Sequence, residues 1–302
     1  MVDTATGSDR RSRVRTPRAP RHRALQPAES FANTFTALGG LAFAGAHVSA
    51  SATDLDTGVR LIEIDDRIVL PTASVGQLLL LIEVSARISE HNVAGFGILD
   101  KTARDAVGRS GAWQYLQAPA LPVADLASLI GATNDNLATN VLLREVGLGA
   151  VRARAESLGL TRTALLDRAR DHRGPDDAPQ LSVGSTAELA WLFAALARGE
   201  VVDSETSSRV LGWLSLGSNL SLVAGAFGLD PLSHRSVDHG LLLVNATGTD
   251  AGVRAEAGVL RGPRTAVTYA VTVQFADSAI HTRLAVLDAM RTVGADLLEY
   301  VH

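Results

Sequence analysis

Strand-like runs lie at the two ends of this sequence, and a long helical stretch separates them. His47–Leu55 and Val59–Ile64 come early, joined by Asp56-Thr57-Gly58. That turn is hairpin chemistry, because glycine accepts positive φ. Leu241–Thr247, Val253–Leu260 and Ala266–Phe275 come late, and the last alternates well. Strands must pair their backbone groups, and a lone hairpin is marginal. The two groups therefore predict one five-stranded, mostly antiparallel sheet in a two-lobed α/β (α+β) fold. Residues 29–73 and 215–302 form the sheet lobe, and residues 74–214 are inserted as a helical lobe. The cleft between lobes is the natural place for a ligand.

Helical periodicity fills the rest. Phe31, Phe35 and Leu38 share a face, and Gly39-Gly40 is expected to stop that helix. Val75–Ile88 is apolar nearly all round, as a helix inside a larger protein would be. Leu137–Val146, Gly149–Leu158 and Thr186–Arg198 are periodic, and Val202–Leu214 is less regular. Ile280, Leu284, Leu287, Met290, Leu297 and Val301 form one face of a last helix. The terminal helices are expected on one face of the sheet. Residues 167–184 have no period and two prolines, which predicts a long, functional loop.

Composition narrows the chemistry. The absence of cysteine excludes disulfides, thiolate nucleophiles and cysteine zinc sites. The eight histidines show no H-x-x-x-H spacing, so no metal and no cofactor are expected. A net charge of −4 gives no reason to expect nucleic acid as a partner. The strongest apolar run, Leu78 to Ile82, is far too short for a membrane span. Residues 1–28 carry seven arginines between Arg10 and Arg23, with Pro17, Pro20 and Pro27, and predict a disordered tail. No apolar core or cleavage site follows, so a cytoplasmic location is expected. All 28 basic residues but Lys101 are arginine, so any lysine mechanism has one candidate. Lys101 sits in a polar connecting segment and is expected to be solvated.

Three short segments then line up. Ser74-Val75-Gly76-Gln77 opens the buried helix, Asn134-Asp135-Asn136 begins another, and Ala246-Thr247-Gly248-Thr249 ends a strand. Asn134 to Leu143 reads Asn-Asp-Asn-Leu-Ala-Thr-Asn-Val-Leu-Leu. In order and context these segments resemble the S-x-x-K, S-D-N and K-T-G motifs of class A β-lactamases and penicillin-binding proteins. The resemblance covers residues 29–302.

By that resemblance, Ser74 is the nucleophile that attacks a β-lactam or acyl carbonyl. A serine hydroxyl needs a base nearby. The family's lysine one turn later is Gln77 here, and an amide takes no proton near neutral pH. The relay serine is Asn134, and the third-motif lysine is Ala246. Asn136 is retained and would hold a substrate amide. Thr247, Gly248 and Thr249 would bind substrate, with the N–H groups of Ser74 and Thr249 as oxyanion hole. Arg254 is a candidate anchor for a ligand carboxylate. The family's loop glutamate motif is missing from 160–185, which leaves His172 and Asp171 as candidate loop bases. Two readings follow. In one, classical hydrolysis is lost or very weak, and the old cleft binds a small acyl or peptide-like ligand or serves a non-catalytic interaction. In the other, a divergent serine hydrolase uses Ser74 with a non-lysine base.

Overall fold

The computed structural model describes Met1 and residues 31–302, apart from 92–94, 96 and 109. The arginine-rich segment lies outside the described residues, Met1 aside. Helix α1 (Ala32–Phe43) leads into β1 (His47–Asp54) and β2 (Arg60–Ile64), a hairpin turned at Gly58 with φ +74°. Asp54 braces that turn, accepting from the N–H groups of Asp56 and Thr57 and from the Thr57 hydroxyl. The short strand β3 (Leu70–Pro71) and a 3-10 turn over Ala73–Gly76 precede α2 (Gln77–Ser89). Then come β4 (Ile98–Asp100), β5 (Ala120–Pro122), α3 (Val123–Thr133), α4 (Asn136–Val146) and α5 (Leu148–Ser157). Strands β6 (Ala164–Leu165) and β7 (Ser182–Gly184), with helices α6 (Thr186–Arg198) and α7 (Ser204–Leu214), complete the helical region. The chain returns through β8 (Leu242–Asp250), β9 (Val253–Arg261) and β10 (Ala266–Gln274) to α8 (Ile280–Val301).

The main sheet has order β2-β1-β10-β9-β8, and every neighbouring pair is antiparallel. β10 shows how the sequence chooses the two faces. Val267, Tyr269, Val271 and Val273 point one way, into a core shared with α1 and α8. Ala266, Thr268, Ala270 and Thr272 alternate to the other face. There the small side chains let α6 pack close, and the core continues into α2, α3 and α4. The terminal helices therefore do share one face. Buried Asp296 joins them, accepting from the Thr34 N–H and hydroxyl at 2.8 Å each and from Asn33 Nδ2 at 3.1 Å.

Several expectations need correction. Gly39-Gly40 does not stop α1, which runs on to Phe43. Both glycines face open space, and packing of Leu38 and Leu41 carries the helix through them. Gly40→Ala is expected to stabilise the fold by about 0.5–1 kcal/mol, since it removes only a backbone-entropy cost. Chemical denaturation would show this as a raised midpoint at unchanged slope. Helix α3 adds to the periodic stretches of the helical region; its buried residues Val123, Leu126, Ala127 and Ile130 recur at helical spacing. The 167–184 segment is irregular as expected, but its last three residues are β7. Lys101 is partly buried and engaged rather than fully solvated. Its ammonium donates to the carbonyls of Trp113 and Leu116 and sits 5.5 Å from the Trp113 ring. Among the described residues no helix is long and apolar enough to cross a membrane.

Candidate active site

Ser74 lies in the 3-10 turn ahead of α2, half-buried at a cleft of about 270 Å³. The preceding residue, Ala73, is held in the left-handed region at φ +48°. That conformation costs an alanine about 1–2 kcal/mol, so its surroundings must impose it. They are hydrogen bonds from β7. The Ser182 hydroxyl donates to the Ala73 carbonyl at 2.6 Å and pairs with the Thr72 hydroxyl at 2.7 Å. Gly76 sits against Ser182 so closely that an added Cβ would fall 2.2 Å from the Ser182 Cβ. On the other side Gly248 of β8 packs onto the same turn. A Cβ there would lie 2.1 Å from the Thr72 carbonyl oxygen and 3.2 Å from the Ser74 nitrogen. Glycine at 76 and 248 is therefore a steric requirement for seating Ser74.

Asn134 and Asn136 enter from the other wall. Asn134 does not begin a helix. It ends α3 in the left-handed region, φ +52°, and Asp135 is the N-cap of α4. Asp135 is fully buried. One carboxylate oxygen caps the Ala138 N–H at 2.9 Å, and the other accepts from Ala112 and Trp113 N–H at 2.7 and 2.8 Å. Asp135 thus fixes the segment that brings Ser110 to the cleft, where the Ser110 hydroxyl donates to the Thr133 and Asn134 carbonyls. Asn134 Nδ2 donates to the Thr247 carbonyl at 3.1 Å and its hydroxyl at 3.3 Å, tying the helical wall to β8. Gln77 is buried beneath and donates through Nε2 to Asn136 Oδ1 at 3.2 Å, while its Oε1 has no partner among the described residues.

The structure therefore gathers Ser74, Asn134, Asn136 and Thr249 on the cleft surface, with Gln77, Thr247 and Gly248 directly behind. It does not gather the rest. Arg254 is buried rather than superficial; it donates to the Asp250 and Val253 carbonyls and lies 5.7 Å from the Phe275 ring. His172 is exposed on the loop and does not line the cleft. Asp171 accepts from the Gly108 N–H at 2.8 Å and does not line it either. The loop contributes Ala169, Arg170 and Arg173 instead. Periodicity offers no signal for these, because they belong to a segment with no repeat. Asn140 of α4, a buried amide inside the second motif's helix, holds Ala169 by both backbone groups, at 2.8 and 3.0 Å.

A sequence profile of the β-lactamase enzyme family matches residues 30–301. The chain belongs to the β-lactamase enzyme family. Solved relatives share its fold at low identity. A β-lactamase from Sphaerobacter thermophilus is 21% identical, covering 90% of this chain and 97% of its own, with a TM-score of 0.77. The protein PBP-A is 18% identical over 89% and 95%, with a TM-score of 0.75. A Burkholderia vietnamiensis β-lactamase is 17% identical over 92% and 97%, at 0.70. No curated protein matches in sequence.

Set beside the family's motifs, this cleft lacks their lysines, and its carboxylate among the described lining residues is Asp250. Position 77 offers an amide, position 246 a buried methyl, and the loop presents the methyl of Ala169. Its two arginines are neutralised in place. Arg170 and Arg173 each bond Asp167 at 2.7 Å, and Arg170 also meets Asp177 at 2.9 Å. Burial pushes the Asp167 carboxyl up, but hydrogen bonds from Arg170, the Arg168 N–H and Arg173 outweigh it and hold it below 3.8. A depressed carboxyl contributes stability above its unfolded value and loses it as pH falls through the folded one. Asp167→Asn is therefore expected to flatten the acid limb of the stability curve below pH 3.8. Limited proteolysis of the 167–181 loop across that range measures the effect.

Proposed function

We propose that this β-lactamase-family chain binds a small acyl or peptide-like ligand in the Ser74 cleft and turns β-lactams over weakly or not at all. One observation carries this reading. The hydroxyl of Ser74 reaches an open cleft in which no lysine, histidine or glutamate stands among the described lining residues. The carboxylate among those described residues is Asp250, and without the family's lysine the Ser74 hydroxyl stays a poor nucleophile. What remains is the binding geometry, namely the Asn136 amide, Thr249, and backbone N–H groups at the Ser74 turn. Removing cooperating catalytic groups together leaves mainly such residual effects.

A second reading keeps Ser74 as a nucleophile in a divergent serine hydrolase. It is favoured by the Ser74 hydroxyl itself, which makes no hydrogen bond among the described residues, and by the seat that Gly76 and Gly248 preserve. A variant of PBP-A, 18% identical, has been solved as an acyl-enzyme complex with penicillin G. Intact-protein mass spectrometry after incubation with penicillin G and with a serine-reactive phosphonate separates the readings. The binding reading expects no adduct at times when a competent acyl-enzyme would be fully labelled. A stable adduct that disappears in Ser74→Ala establishes the hydrolase reading.

A further inference from the structure

Away from the cleft, and sharing no lining residue with it, α6 crosses the outer end of the sheet. Ala187, Ala190 and Ala194 of α6 border a hollow of about 270 Å³ between the helix and the strands. Thr53 and Thr268, paired across β1 and β10, lie on its floor. Thr268 is wholly buried, and its hydroxyl has no hydrogen-bond partner among the described residues. A buried hydroxyl left unpaired is costly, and this one borders the hollow. Trp191 forms one wall and is 49% exposed, whereas Trp113 and Trp213 are buried. An indole open on its face offers a flat apolar platform.

The mouth carries both signs of charge. Arg198 donates one N–H to the Leu55 carbonyl at 3.0 Å and faces the hollow with Arg60, which pairs with Glu63. Asp66 stands on the same rim. An anion gains beside Arg198 and loses beside Asp66, and a cation does the reverse. A neutral polyol accepts from the guanidinium and donates to the carboxylate. The volume suits one small ring.

We propose that this hollow binds a single neutral pyranose, stacked on Trp191 with a hydroxyl directed at Thr268. Titration of the full chain with glucose, N-acetylglucosamine and gluconate, followed by tryptophan emission, tests it. A saturable change is expected with a neutral sugar, and binding at least tenfold weaker with gluconate. Saturation-transfer NMR then reads two variants. Ala187→Leu fills the hollow and is expected to weaken sugar binding at least tenfold. Thr268→Val removes a hydroxyl that has no partner among the described residues, so it should leave the melting temperature equal or higher while sugar binding falls. Absence of any saturable response, preference for gluconate, or binding that survives both variants overturns the proposal.

Discussion

Glu256→Ala is expected to lower the unfolding free energy by about 4 kcal/mol or more, since each buried donor stripped of its acceptor costs about 1–3 kcal/mol. Glu256 is 1% exposed, at the centre of β9. Its carboxylate accepts from Val223 N–H at 2.8 Å, Asn245 Nδ2 at 2.9 Å and the Tyr269 hydroxyl at 2.7 Å, with a longer bond from Ala224 N–H. Truncation strands all four donors between the sheet and the turn that supports α8. A domain of this kind has about 5–15 kcal/mol to lose, so the variant should sit near the edge of folding at 37 °C. The same residue gives a pH signature. Burial pushes the Glu256 carboxyl above 4.5, against the pull of Tyr269, Asn245 and the Ala224 and Val223 N–H groups. A raised acid binds its proton more tightly when folded, so this group's share of stability falls as pH rises from 4.5 through the folded value. Glu256→Gln should abolish that slope while costing less than alanine. Urea denaturation of the three proteins between pH 4 and 8 checks both claims, and a mild effect of alanine at every pH would contradict them.

Gly248→Ala should cost about 2–3 kcal/mol, the scale of overpacking in a filled interior. Its new methyl meets the Thr72 carbonyl, a backbone group fixed by the Ser182 bonds, so neither side gives way cheaply. The expected relief is withdrawal of β8 from the Ser74 turn, which parts Thr249 from Ser74. Labelling or ligand binding at Ser74 should then fall more steeply than stability alone explains. Gly40→Ala supplies the contrast, as the same substitution in open space. Differential scanning calorimetry and amide exchange at residues 72–77 would separate the two. Equal melting temperatures for both variants would show that the contact is soft.

The sheet was legible because its signal is local and repeated. Alternation in Ala266–Gln274 and the Asp-Thr-Gly turn at 56–58 survive without knowledge of the partner strands. The motif trio was legible from order, since Ser74, Asn134, Asn136 and Thr249 do meet at one cleft. Boundaries and loops were harder. Gly39-Gly40 carries a local preference that packing of α1 overrides. His172 and Asp171 drew attention as titratable loop residues, yet side-chain direction in an aperiodic segment depends on tertiary hydrogen bonds. The decisive one comes from Asn140, 29 residues away. Arg254 illustrates the same limit within a strand, because its register partner Thr249 reaches the cleft and the guanidinium does not.

Asn140 also bears on what position 169 presents to the cleft. It grips Ala169 by its N–H and its carbonyl, so the chain there is held through backbone groups and not through the Ala169 methyl. Because that side chain borders the cleft, position 169 is a point at which a substituted side chain would enter the cleft from a backbone already held in place.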